Sequence, residues 1–475
     1  MALSRSARRT SRWLALATAV ASAATLAAAP ATAAAPPAKP GAPGAGDPYF
    51  PELGNGGFDA LHYDLGVSYD PDSGLLEGRT TIKAKATGNL SSFDLDLQKL
   101  RVESVRVDGK KAAFTRTGDE ITVTPASRLR KGQRFSVQVA YAGIPQPLSG
   151  PIVFGSDYGW MKTKDGVFVA CEPNAGSTWF PSSDHPSDKA TYDIRIDAPK
   201  GLTGVSNGRL VSSGEAHGRS YAHWRESRPM ATYLATATIG KFDVRTGTTP
   251  GGTPIYVATD PTLPTGKVDV YGITAEATDY WSKVFGPYPF EETGAVVDDM
   301  PQAGFSLEVQ SKPVYSAVRN ETTIVHELAH QWFGDSVSVK QWKNIWLNEG
   351  FASYAQWLWD EHRGTQSAHD AFRKQYAAIP ADNAFWKIKV GDPQRDTMFA
   401  NAVYKRGAMT LQALRERIGD EAFFKLLPAW TSAHRYGNAE TSQFIALAEK
   451  ISGQQLDDLF HTWLDTDSRP DLPGN

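Results

Sequence analysis

Hydrophobic and polar positions alternate with a period of two through the first half of the folded chain. Phe135, Val137, Val139 and Tyr141 alternate with Ser136, Gln138 and Ala140, and Ile82, Ala84 and Ala86 with Thr81, Lys83 and Lys85; residues 101–107 follow the same rule. Successive side chains of a strand point to opposite faces, so these runs predict half-buried strands. Pro71-Asp72-Ser73-Gly74, Asp108-Gly109 and Ser206-Asn207-Gly208 break them as turns. Residues 47–245 therefore read as an antiparallel β domain of sandwich type.

After a Gly/Thr/Pro-rich patch at 246–254 the period lengthens to that of a helix. Residues 268–285, 321–333, 348–362, 402–418 and 441–451 suit helices, with short strands expected at 294–297 and 307–312. Residues 246–475 thus read as a second, mainly helical domain, and the fold class as multidomain α+β. A chain of 475 residues has room for both.

The start of the chain reads differently. Arg5, Arg8, Arg9 and Arg12 precede an Ala/Leu-rich stretch from Trp13 to Leu26, and Ala31-Thr32-Ala33-Ala34-Ala35 supplies small residues for cleavage. This is the pattern of a signal peptide over residues 1–35, which predicts secretion to the cell envelope or beyond. Thr10 and Ser11 follow Arg8-Arg9 where a twin-arginine signal places apolar sequence, so ordinary secretion is the reading. Residues 36–46 are Pro/Ala/Gly-rich and read as a disordered linker, with folded sequence beginning near Asp47. No later segment is long and apolar enough for a membrane span.

Charge and cysteine content narrow the chemistry. The formal charge is −3 with no long basic run in the folded part, which argues against nucleic acid as a partner. A single cysteine, Cys171, leaves no internal disulfide and no Cys-based zinc finger.

The segment Thr323-Ile324-Val325-His326-Glu327-Leu328-Ala329-His330 carries the strongest signal. Asn320 is a good N-cap and Glu321 suits the first turn. On a helix His326 and His330 leave the same face one turn apart, and their nitrogens converge at zinc-ligand reach. Glu327 is offset around the helix, toward water at the metal rather than the metal itself. A catalytic zinc needs a third protein ligand and an open position. Glu349, in Trp346-Leu347-Asn348-Glu349-Gly350-Phe351, fits if the first helix ends near Gly334-Asp335 and a second begins near Asn348. The set His326, His330 and Glu349, with one zinc ion and Glu327 as general base, describes a zinc hydrolase. A non-catalytic module with structural zinc is the contrasting reading; it would call for four protein ligands.

Val325-His326-Glu327-Leu328-Ala329-His330-Gln331-Trp332-Phe333-Gly334-Asp335 together with Trp346-Leu347-Asn348-Glu349-Gly350-Phe351-Ala352 resembles the M1 family of zinc aminopeptidases, especially its secreted bacterial members. Asp47-Pro48-Tyr49-Phe50-Pro51 and His62-Tyr63-Asp64-Leu65 resemble its N-terminal domain. The resemblance implies a saddle-like β domain followed by a thermolysin-like zinc peptidase domain, acting on peptides with a free N-terminus. It implies that Tyr404, in Val403-Tyr404-Lys405-Arg406-Gly407-Ala408, stabilises the oxyanion. It also implies that Glu308 and Glu172 bind the substrate's α-ammonium. Around Glu308 the sequence departs from the family's G-A-M-E-N, reading Gly304-Phe305-Ser306-Leu307-Glu308-Val309-Gln310. Gln356 stands where the family has a glutamate behind a ligand histidine, and its amide oxygen is expected to accept that imidazole N–H. The helical cover that larger members carry after the catalytic domain is not expected here. A zinc endopeptidase using the same helix is the nearest alternative; it has no use for an ammonium anchor.

Overall fold

The computed structural model describes residues 37–153, 155–264 and 268–472. The expected signal segment, residues 1–35, lies outside the described residues. The alternating runs form an eight-stranded sheet in the order Arg209–Ala216, Arg219–Met230, Ala190–Pro199, Phe58–Asp70, Leu75–Ala86, Arg134–Gly143, Arg101–Val107, Lys110–Lys111. Their inward positions, among them Tyr63, Leu65, Ile82, Val137 and Val139, are almost fully buried. A four-stranded sheet and a five-stranded sheet accompany it among the described residues, and Phe93 of the four-stranded sheet sets its ring 5.6 Å from that of Phe58 in the large sheet. The antiparallel expectation needs one correction: Phe58–Asp70 pairs parallel with Ala190–Pro199, placing Thr191 opposite His62. Alternation tells which face a side chain takes and says nothing of strand direction.

The expected linker at 36–46 is a second correction. Lys39–Pro40 pairs with the strand Leu90–Asp96, Gly56 N–H donates to the Ala42 carbonyl (2.8 Å), and Ala45 N–H to the Leu53 carbonyl (2.9 Å). A Cβ at Gly44 would stand 2.0 Å from the Pro51 carbonyl oxygen. The glycine that reads as linker composition is here what lets two backbones meet.

The boundary expected at 245/246 falls inside the strand Asp243–Thr248. That strand opens a five-stranded sheet ordered Asp243–Thr248, Pro254–Thr259, Thr293–Val297, Val314–Tyr315, Ser306–Leu307. The strand expected at 307–312 covers only Ser306–Leu307, because the chain turns back at Ser311 (φ 70°) and Lys312 N–H donates to the Val309 carbonyl.

The helices are α1 (Val270–Val284), α2 (Glu321–Ala329), α3 (Trp346–Arg363), α4 (Ala368–Ala377), α5 (Asn401–Ile418), α6 (Asp420–Ala433), α7 (Thr441–Ser452) and α8 (Asp457–Phe460). Three of these, α4, α6 and α8, were not expected; α6 carries Pro428 inside it, which reads as a breaker. Helix α2 is shorter than the expected 321–333 and gives way to tight turns from His330 onward, where Gln331 and Trp332 bond three residues back. Aromatic rings fill the space around it: the Trp281 indole donates to the Val325 carbonyl (3.3 Å), and Phe333 stacks on Phe351 at 4.3 Å. None of the described helices is long and apolar enough to cross a membrane.

Helices α3 and α5 meet backbone to backbone. A Cβ on Gly407 would lie 2.8 Å from the Gly350 Cα, and one on Gly350 would lie 3.0 Å from the Gly407 Cα. Only glycine at both positions permits this approach, which brings together the helices that carry Glu349 and Tyr404. Gly407→Val is therefore expected to destabilise the protein by about 1–3 kcal/mol or more, since backbone cannot swing away as a flexible side chain does. Thermal unfolding with an unchanged midpoint would refute the close contact.

Candidate metal centre

Helix α2 begins as its sequence dictates: the Asn320 side chain accepts from Thr323 N–H at 2.8 Å, and Glu321 receives the Trp359 indole at 2.7 Å. One face then presents His326 and His330, whose Nε2 atoms lie 3.1 Å apart. Helix α3 brings the Glu349 carboxylate to 3.3 Å from His326 Nε2 and 3.5 Å from His330 Nε2. A tetrahedral ion with bonds of about 2.0–2.1 Å spaces its ligands by about 3.3–3.4 Å. The three donor atoms already sit at that spacing. Two imidazoles and one carboxylate form a borderline-soft set suited to zinc, with a fourth direction left toward the pocket.

The pocket has a volume of about 350 Å³, and all seven side chains singled out from the sequence line it: Glu172, Glu308, His326, Glu327, His330, Glu349 and Tyr404. Glu172 follows the strand Val167–Ala170, and Glu308 follows the edge strand Ser306–Leu307. Each has a carboxylate oxygen that is buried and without a hydrogen-bond partner among the described residues. The Tyr404 ring, from the first turn of α5, lies parallel to the His326 ring with centroids 6.2 Å apart.

The electrostatics are those of a site short of positive charge. Glu172, Glu308, Glu327 and Glu349 converge, and among the described residues no lysine or arginine lines the pocket. Burial pushes the Glu327 carboxyl well above the usual range, with His330 pulling it partly back. Burial likewise raises Glu308, to about 7, and Glu172, which Glu308 and Glu349 raise further. Burial works against charge on His330, but Glu308 and Glu349 hold its pKa well above the ordinary imidazole value. Glu349 resists its own burial because His330 and His326 stabilise the anion, holding it at about 2. Burial and the same carboxylates keep the Tyr404 hydroxyl protonated, so it is a donor. Buried carboxylates with unmet oxygens call for cations, either a metal ion or an ammonium group.

The structure differs from the sequence reading at Gln356. Its side-chain amide donates to the Thr322 carbonyl (3.2 Å) and does not serve an imidazole. His330 Nδ1 pairs instead with the Phe333 carbonyl (2.9 Å), while His326 Nδ1 is unpartnered among the described residues. The turn that ends α2 early carries the Phe333 carbonyl back to His330.

Other residues at the site escaped the sequence reading. Gln331 donates to the Glu308 carbonyl (3.2 Å) and accepts from Ser311 N–H (2.7 Å), so the residue beside a metal-ligand candidate holds the segment that carries an anchor candidate. Phe305, Ser306, Phe399 and Asn401 complete the pocket wall. Their residue types carry no chemical signal.

Comparison with known proteins gives the family. Residues 59–234 match the family model described as the peptidase M1 N-terminal domain, and residues 302–463 match the peptidase family M1 domain. The chain belongs to peptidase family M1. Among solved M1 structures, the M1 zinc metallopeptidase from Deinococcus radiodurans superposes with a TM-score of 0.83 at 28% identity, covering 90% of this chain and 98% of that one. A point variant of the Deinococcus radiodurans enzyme bound to a Tyr-Ser-Ala substrate gives a TM-score of 0.84 at 28% identity, covering 90% and 99%. Aminopeptidase M1-C from Oryza sativa subsp. japonica is 26% identical over 64% of this chain and 37% of its own length. Aminopeptidase N from Lactobacillus helveticus is 25% identical over 86% of this chain and 51% of its own. The chain thus spans about half or less of these curated M1 relatives, and close to the whole of the Deinococcus radiodurans structures.

Proposed function

We propose that the protein is a zinc aminopeptidase that removes N-terminal residues from peptides. The observation that carries this reading is the pair of buried, unpartnered carboxylates, Glu172 and Glu308, lining the same pocket as the His326, His330 and Glu349 donor set. Membership of the M1 family and the aminopeptidase names of the relatives support it. An endopeptidase would bury those two carboxylates for nothing, and burying an unpaired charge is costly.

His326, His330 and Glu349 would hold the zinc. When bound, zinc supplies Lewis acidity, drawing electrons from a carbonyl oxygen and making water a stronger acid. Glu172 and Glu308 bind the α-ammonium and so place the first peptide bond, and no later one, at the reacting position. Glu327 accepts a proton from the attacking water and returns it to the leaving amine. The Tyr404 hydroxyl donates to the oxyanion as the carbonyl carbon becomes tetrahedral. The signal-like start of the sequence supports secretion to the cell envelope or beyond as part of the same proposal.

The test is made on metal-free protein given back one equivalent of zinc. Hydrolysis of an aminoacyl amide is expected to return with it. In Glu308→Ala the KM for that substrate is expected to rise by about 10–100-fold, because a charge-assisted contact to the ammonium is lost. Equal kinetics in the variant would remove Glu308 from the ammonium site.

A further inference from the structure

The segment 388–400 joins the end of a short turn to α5, and it closes one side of the pocket. Phe399 lines the pocket directly, and Asn401 and Tyr404 follow in the first turn of α5. The segment is fastened at its start. The Arg406 guanidinium donates to the Trp386 (3.1 Å) and Ile388 (3.3 Å) carbonyls, and Gly391 N–H donates to the Leu464 carbonyl (3.0 Å).

Between these fastenings and Phe399 lies a strained bend. Gln394 has φ 67° and ψ 154°, a backbone conformation that residues with a Cβ rarely adopt. Such a conformation persists only where its surroundings hold it. Here the holder comes from the other end of the chain. The Tyr49 hydroxyl donates to the Asp392 carboxylate and accepts from Gln394 N–H at 2.8 Å.

Tyr49 is itself fixed. It is 7% exposed, and its N–H is capped by Asp47 Oδ1 at 2.8 Å. The other oxygen of Asp47 accepts from Trp342 N–H (2.8 Å) and lies 3.2 Å from His185 Nε2. Next door, the Arg395 guanidinium sits over the Phe50 ring at 5.3 Å. Residues 47–50 are thus buttressed between the β domain and the catalytic half, and the Tyr49 hydroxyl adds a hold from outside the segment to the bend's own bonds, such as Gln394 Nε2 to Asp392 Oδ1 (3.2 Å).

We propose that Tyr49 is a positioning residue for the substrate pocket: its hydroxyl holds the Asp392–Gln394 bend, and through that bend it sets Phe399 and Asn401 against the substrate. The kinetic part rests on the aminopeptidase reading; the structural part does not. Tyr49→Phe keeps the buried ring and removes only the link. It leaves His326, His330 and Glu349 untouched, so zinc content should stay at the wild-type level.

The experiment is hydrogen exchange and steady-state kinetics on the full chain. In Tyr49→Phe, amides in peptides covering 391–402 are expected to exchange about tenfold faster while those in α2 keep their protection. KM for an aminoacyl amide is expected to rise about fivefold or more with kcat within about twofold. Gln394→Gly supplies the second reading. Glycine adopts the same φ without strain, so adding it to Tyr49→Phe should recover much of the KM. Asp392→Ala removes the Tyr49–Asp392 bond and a Gln394 side-chain contact but leaves Gln394 N–H on the Tyr49 hydroxyl, so it should shift exchange at 391–402 and KM in the same direction, and serves in place of the tyrosine variant should that not fold. Unchanged exchange at 391–402 would overturn the proposal, as would a parallel fall in kcat and zinc content. A wild-type protein without activity on any free-amine substrate would sink the function reading, and the exchange result would still decide the role of Tyr49.

Discussion

Glu327→Gln is expected to lower kcat by about a thousandfold, the middle of the range that a positioned general base contributes. The carbon skeleton is the same and the side chain is 6% exposed, so packing is preserved. What is lost is the ability to take a proton from water and give it to the amine. The neighbouring His326 and His330 keep their geometry, so zinc content should equal that of the wild type. Substrate binding should change little, because Glu172 and Glu308, the proposed ammonium anchors, follow other elements, the strands Val167–Ala170 and Ser306–Leu307. Steady-state kinetics beside metal analysis make the check. Full activity in the variant would move the proton transfer to another group, and the whole mechanism with it.

His330→Ala has the other large effect, and it reaches stability as well as rate. His330 is 1% exposed, and its two nitrogens serve Phe333 and the Glu349–His326 pair. Its removal leaves two donors in place of three. Zinc affinity should then fall by more than the roughly 10–100-fold that losing an orienting partner costs. A ligand present at about a thousand times its Kd stabilises the folded state by about 4 kcal/mol, and this variant forfeits that gain. Thermal unfolding with and without added zinc reads it: the midpoint should rise with zinc in the wild type and stay fixed in the variant. One tightly held zinc in His330→Ala would refute the assigned ligand set.

The parts of this site written in the sequence are those in which local geometry does the work. His326 and His330 share a helix face because they are one turn apart, and Asn320 caps that helix because its side chain reaches its own third successor. Glu349 could be proposed because a helix, a turn and a second helix return the chain. Tyr404, Glu308 and Glu172 were legible only by family resemblance, since a lone tyrosine or glutamate has no local signature.

What escaped depends on contacts between distant segments. The parallel pairing of Phe58–Asp70 with Ala190–Pro199 joins stretches more than a hundred residues apart, and alternation is blind to it. Residues 39–45 looked like linker because glycine and proline serve flexible and tightly docked backbone alike. The family resemblance points Gln356 at an imidazole, yet the early end of α2 gives His330 a backbone carbonyl instead. Phe399 and Gln394 belong to a segment without periodicity, whose shape is imposed by Tyr49 from the far end of the chain.

In the proposed function Glu172 and Glu308 read a free N-terminus beside a metal held by His326, His330 and Glu349. The most direct measurement sets a short peptide against its N-acetylated twin, both offered to the zinc-loaded protein. Acetylation removes the positive charge and leaves the first peptide bond in place. The free-amine peptide should lose its N-terminal residue with a kcat/KM at least about a hundredfold above that of the blocked one, the discrimination expected when buried carboxylates lose the ammonium that satisfies them. Cleavage of both peptides at similar rates, or cleavage of the blocked peptide at internal bonds, would contradict it.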